Sequence, residues 1–185
     1  MIYFTSDLHL GHKAIIHMQN RPFASIDEMN EVLIDNINRI VMPNDKIYFL
    51  GDMAHHIPFE ERDGLIKKIR CRNRFLLIGN HDLRGGDGEA GYDPALFVWM
   101  KQYWKESLSG KRIIMMHYPI LSWDKMHSGS IMLHGHIHAG PEYNEKNIQD
   151  GIRRFDVGVD ANDYKPVSID TILAWSKAAD EAHTI

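Results

Sequence analysis

Short apolar runs that stop abruptly at carboxylates, amides and imidazoles constrain this chain more than any other feature. Residues 2–5 lead into Ser6-Asp7-Leu8-His9, 46–50 into Gly51-Asp52, and 75–78 into Gly79-Asn80-His81-Asp82. Residues 113–116 lead into His117, and 131–133 into His134-Gly135-His136-Ile137-His138. Each run is short, rich in bulky or β-branched side chains and bounded by turn formers, which predicts buried strands. Between them the spacing predicts helices. Ser25 and Glu28 fit a capping box ahead of Met29, Val32, Leu33, Ile37 and Ile40 on one face. Residues 59–70 form a second, more polar segment, and 94–104 a third with Pro94 in its first turn. Ser168 can cap a last helix presenting Ile169, Ile172, Leu173 and Ser176.

Alternating strands and helices argue for an α/β fold. From Arg112 onward strands dominate, so the expectation is a second sheet stacked on the first, with helices flanking the two. At 185 residues, 44% of them hydrophobic, residues 1–185 are read as a single domain. The run 84–91, with its four glycines, reads as an exposed mobile loop rather than a linker.

Composition narrows the function. Cys71 is the single cysteine, which rules out an intramolecular disulfide and a Cys-rich zinc site. No run reaches transmembrane length and the first residues do not form a signal peptide, so no membrane association and a cytoplasmic location are expected. A formal charge of −4 gives no global basic field for nucleic acid. Lys67, Lys68, Arg70, Arg72 and Arg74 make a local basic run, whose ordinary reading is a solvated helix face and turn.

The polar groups after the strands carry the chemistry. In α/β folds ligands bind in the crevice beyond the carboxyl ends of the strands. Carboxylates, imidazoles and an amide without thiolate suit divalent ions such as Mn, Fe or Zn. The donors are too numerous for one tetrahedral ion, and two ions could clamp the attacking and leaving oxygens of a phosphoryl displacement. Taken singly, Asp7-Leu8-His9 and Gly51-Asp52 are ordinary turn chemistry. Gly79-Asn80-His81-Asp82 and the alternating histidines 134–138 are far more specific. His136 and His138 share one face of an extended chain, and His134 reads as a packed histidine.

Together and in this order, Asp7/His9, Asp52, Asn80/His81/Asp82, His117 and His136/His138 resemble the calcineurin-like metallophosphoesterase family. Ser6-Asp7-Leu8-His9-Leu10-Gly11-His12 and Asn20-Arg21-Pro22-Phe23 further resemble a small single-domain branch common in bacteria and their phages. The resemblance implies two packed β-sheets flanked by helices. It implies that Asp7, His9 and His138 hold one metal, that Asn80, His117 and His136 hold a second, and that Asp52 bridges them. His81 would donate a proton to the leaving oxygen, oriented by Asp82. Manganese is the expected ion of the pair, with iron, zinc, nickel or magnesium as alternatives. The implied reaction is hydrolysis of a phosphate ester, a phosphodiester before a monoester, by a hydroxide bridging the metals. The substrate would be a small-molecule or nucleotide phosphoester. The competing readings are a metal-dependent nuclease and a catalytically silent binding scaffold.

Several positions carry weaker expectations. Arg21, stiffened by Pro22, could offer a forked donor to phosphate, and His12 and Arg84 could also reach substrate. His55 and His56 could line the cleft or simply be exposed. Trp99, Tyr103 and Trp104 read as a helical cluster, and Asp156 and Asp160 as ordinary strand alternation.

Overall fold

The protein is described here by a computed structural model covering residues 1–84 and 89–182. In chain order its strands are β1 (Ile2–Thr5), β2 (Lys46–Phe49), β3 (Asn73–Leu77), β4 (Trp99–Lys101), β5 (Tyr103–Leu108), β6 (Lys111–Met116), β7 (Ile131–His134), β8 (Arg154–Asp156) and β9 (Val167–Ser168). Its helices are α1 (Lys13–Met18), α2 (Ile26–Ile40), α3 (Phe59–Lys67), α4 (Glu142–Gln149) and α5 (Ile169–Ala182).

The strands form two sheets, ordered β4-β3-β2-β1-β9 and β5-β6-β7-β8. Both are mixed: β1 to β4 run parallel with β9 antiparallel, and β6 to β8 run parallel with β5 antiparallel. Side-chain alternation decides the layers. Ile47, Phe49 and Leu76 face a core shared with Met29, Leu33 and Ile37 of α2, while Tyr48, Phe75 and Leu77 face the opposite way. There they meet Ile113, Met115, Ile131 and Leu133 of the second sheet, and α5 adds Ile172 and Trp175. The outer face of the second sheet, Ile114 and Met132, is covered by Trp123. Sheet on sheet, with helices against the outside, is the expected layering.

Local chemistry sets the helix ends. Ser25 Oγ accepts from Glu28 N at 3.1 Å, and Glu28 reaches back to Ala24 N rather than to Ser25. Ser168 Oγ accepts from Thr171 N at the start of α5. Arg74 donates to the carbonyls of Ile66 and Ile69 at the end of α3 and to that of Leu96, so this member of the basic run serves the fold.

The expected helix over 94–104 does not form. Pro94–Leu96 makes one 3-10 turn, β4 then pairs with β3, and after Gln102 the chain enters β5, paired with β6. Apolar spacing there fits a helix, but two sheet edges compete for the segment and long-range pairing prevails. Trp99 and Trp104 meet with ring centres 5.2 Å apart and planes tilted by 50°, one on an edge strand of each sheet, not along a helix. Of the glycine-rich run, residues 85–88 lie outside the described residues. No helix of the described residues is long and apolar enough to cross a membrane.

Candidate metal centre

Parallel strands release their carboxyl ends at one edge, and backbone hydrogen bonds stitch the emerging turns together. Asp7 N donates to Gly51 O, His9 N to Asp52 O and Gly135 N to His117 O, each at 3.0 Å, and Val159 N to Ser6 O at 3.1 Å joins the two sheets. The backbone at Asp7, His9, Asp52, His136 and His138 is left-handed, with φ between 47° and 75°. Non-glycine residues adopt that region at a cost, and such strain gathers at functional sites. Gly135 is required by close approach: a Cβ there would lie 2.0 Å from Ser6 Oγ and 2.3 Å from Asp7 Oδ2.

The side chains converge into two groups, Asp7/His9/His138 and Asp52/His117/His136, in each of which one donor atom per residue lies within 4.8 Å of the others. Asp52 stands between them. Its Oδ2 is 3.4 Å from His117 Nε2 and 3.7 Å from His9 Nε2, while its Oδ1 accepts from His81 N at 2.8 Å. Asn80 Oδ1 lies 3.1 Å from His117 Nε2. His117 Nδ1 donates to Leu50 O at 2.7 Å, which leaves Nε2 as the ligand atom of the neutral ring.

The donors fit a pair of cations. Asp7 Oδ1 and His9 Nε2 are buried and have no hydrogen-bond partner. Buried polar atoms are normally satisfied, so two orphans in one donor group mark a place made for an ion.

The electrostatics agree. Burial, helped by the Asp52 charge, pushes the Asp7 carboxyl up to about 6 against the opposing pull of His117 and His138. Burial holds His9 down to about 2, so its ring is a neutral donor. For Asp52 burial acts upward, but the hydrogen bond and charge of His117 prevail and bring it to about 2. For His117 burial acts downward, and its Asp52 partner together with the Asp7 charge raises it to about 9. A cation at each group would take over the role these internal pairs play.

Two expectations are corrected. Arg21 is not available to phosphate. Its guanidinium donates to both Asp160 oxygens at 2.8 Å, to Asp7 O at 2.7 Å and to Leu8 O at 3.0 Å, with Met29 Sδ beyond at 3.6 Å. These contacts engage all its donors. Asp82 does not orient the His81 ring. Its carboxylate accepts from Asp52 N, Met53 N, Gly79 N and Tyr92 Oη, so it fastens the Asp52 turn to the Asn80 turn. The His81 ring packs instead on that of His55, with centroids 3.8 Å apart.

Asp160, which reads as plain alternation, belongs to the site. It sits in the 3-10 turn Val159–Ala161 and accepts from His138 Nδ1 at 2.8 Å. Asp156 is fully buried with Oδ2 unpartnered, and burial followed by the Asp7 charge raises its carboxyl to about 7. His12 is buried with Nδ1 3.3 Å from His9 Nδ1. Arg84 is exposed, its guanidinium 5.3 Å from the Phe59 ring centre. His134 is buried against Gly135 O and Tyr143 Oη, the packed role its position suggests.

With this geometry in place, the calcineurin-like phosphoesterase family model matches residues 1–160. The chain belongs to the calcineurin-like phosphoesterase family. Members of that family typically bind two divalent metals, in keeping with the two neighbouring donor groups Asp7/His9/His138 and Asp52/His117/His136. This calcineurin-like chain is similar to the uncharacterized protein MJ1445 of Methanocaldococcus jannaschii, with 29% identity covering 100% of this chain and 96% of that one. It is also similar to the gene 66 protein of Mycobacterium phage L5, with 26% identity over 86% of each. Among solved structures, the protein of unknown function AQ665 from Aquifex aeolicus matches with a TM-score of 0.70 at 25% identity, covering 94% of this chain and 98% of that one.

Proposed function

We propose that the protein is a hydrolase that cleaves small-molecule or nucleotide phosphodiesters in preference to monoesters, with a pair of divalent cations, manganese foremost. The observation that carries this reading is the double donor group around Asp52 with two buried donor atoms left unpartnered. The mixture of carboxylate, imidazole and amide favours ions of the manganese, iron and zinc kind over magnesium. When bound, such a pair supplies charge stabilisation for phosphoryl oxygens and lowers the pKa of water.

The chain's own residues do the rest. Asp7, His9 and His138 would hold one ion, Asn80, His117 and His136 the other, and Asp52 would span both. Asp82 keeps the Asp52 and Asn80 turns at fixed separation. Asp160 keeps the proton of His138 on Nδ1, so that Nε2 is free to ligate. His81, whose backbone N–H is anchored on Asp52, would donate a proton to the departing oxygen. The preference for diesters rests on charge. A monoester carries a second negative charge, and the Arg21 guanidinium that could have met it is spent inside the protein. A single buried cysteine, with no disulfide framework in the chain, suits a cytoplasmic setting.

The test compares bis-p-nitrophenyl phosphate with p-nitrophenyl phosphate, using metal-depleted protein with and without added Mn2+. Manganese-dependent hydrolysis, faster on the diester, is expected. No hydrolysis of either ester in any divalent ion overturns the reading in favour of a binding scaffold, and a faster monoester overturns the preference.

A further inference from the structure

Beyond the paired centre, the turns that follow β1 and β2 run side by side. Leu10 bridges to Ala54, and His55 N donates to Leu10 O at 3.1 Å. Gly11 lies so close to Ile57 that a Cβ would sit 2.6 Å from it. This register brings His12 against His55 and His56. One ring nitrogen of each lies within 4.8 Å of the other two, and the ring centres are 3.8–4.9 Å apart. His56 holds a left-handed backbone at φ 58°. Neither the His55 nor the His56 ring has a hydrogen-bond partner among the described residues. The cluster shares no residue with the two donor groups of the paired centre but adjoins it closely, with His12 Nδ1 3.3 Å from His9 Nδ1 and the His55 ring centre 3.8 Å from that of His81.

We propose that His12, His55 and His56 form a separate site for one borderline divalent cation, of the class of Zn2+, Co2+ or Ni2+. Three imidazoles with no carboxylate disfavour Mg2+ and Ca2+, which take oxygen ligands, and suit ions that prefer nitrogen. Three histidines with an open fourth position are a ligand set that zinc accepts. Ring packing alone would not need nitrogen at all three corners, and it does not explain the strained backbone of His56. The position of His12 also couples the triad to the paired centre. Ligation through Nε2 leaves a proton on its Nδ1, facing the Nδ1 of His9 at 3.3 Å. If His9 also ligates through Nε2, the two rings must part slightly. Occupation of the triad and of the paired centre therefore oppose one another, each weakening the other by the same factor.

The full chain, stripped of metal and then dialysed against excess Zn2+, gives the test by atomic emission of bound zinc per chain. His56→Ala alters an exposed side chain, and His55→Phe keeps the ring and removes its nitrogens. Each variant should bind about one ion fewer than the unaltered protein. The total reports on the paired centre and the difference on the triad, so failure of the phosphodiesterase reading leaves this measurement intact. Equal zinc content in the unaltered protein and both variants overturns the proposal.

Discussion

Asp160 Oδ2 lies 2.8 Å from Nδ1 of His138, and the same carboxylate is gripped by Arg21, whose other donors hold the carbonyls of Asp7 and Leu8. One buried ion pair thus fixes the tautomer of His138 and the turn that carries Asp7 and His9. Outer carboxylates of this kind orient imidazole ligands and raise their basicity. Asp160→Ala should weaken binding at the Asp7/His9/His138 group by about 10–100-fold. Asp160→Asn should fall between that variant and the unaltered protein, because its amide oxygen still accepts. Titration calorimetry with Mn2+ checks this, and unchanged affinity in Asp160→Ala would remove Asp160 from the centre.

Asp7 makes the metal-free protein less stable as pH rises. Its carboxyl titrates near 6 in the folded chain against an ordinary 3.8, so the folded state holds the proton more tightly than the unfolded one. The destabilisation is absent below about pH 4, grows between about 4 and 6, and is complete above 6. In the presence of chelator at neutral pH, Asp7→Asn should stabilise the chain by on the order of 2 kcal/mol and raise Tm, while abolishing tight metal binding. Calorimetric melting of the two metal-free proteins decides the sign. A lower Tm for Asp7→Asn would contradict it.

His117 predicts a proton count. Held near 9 by Asp52 and Asp7 despite its burial, it is protonated in the metal-free protein at neutral pH. Nε2 must lose that proton to ligate. Metal loading should release about one proton per chain from His117 between pH 6.5 and 9, with the release fading above 9. Loading enthalpies measured in buffers of different ionisation heat will show it. Enthalpies independent of buffer would mean that His117 is already neutral.

His81 lies outside both donor groups. His81→Ala should therefore keep the full metal content. Its turnover of alkyl phosphodiesters should fall by about 10²–10⁴-fold. Hydrolysis of p-nitrophenyl esters should fall far less, since that leaving group departs without a proton. Equal losses on the two ester types would exclude His81 as the acid.

The sequence exposes what is carried by local chemistry and hides what depends on distant partners. The donors at the ends of β1, β2, β3, β6 and β7 are legible because each follows its own apolar run. Asp160 is not, because its meaning depends on Arg21 and His138, far away in the chain. Arg21 misleads for the same reason: its stiff turn suggests a presented guanidinium, while Asp160 draws it inward. The helical spacing over 94–104 cannot reveal that β3 and β6 will claim the segment. α4 escapes notice because it lacks a clear apolar stripe. Its buried face includes Asn144 and Asn147, which bond the backbone of Asp156 and Arg154 in β8.

The left-handed turns at Asp7, His9, Asp52, His136 and His138 have a final implication. A backbone already bent into that shape presents its donors before any cation arrives, so little chain motion is needed when one enters or leaves. Such a socket exchanges ions without refolding, and divalent affinities for nitrogen and oxygen donors follow a general order that rigid geometry only partly overrides. Which element occupies it in a cell then depends as much on local supply as on the polypeptide.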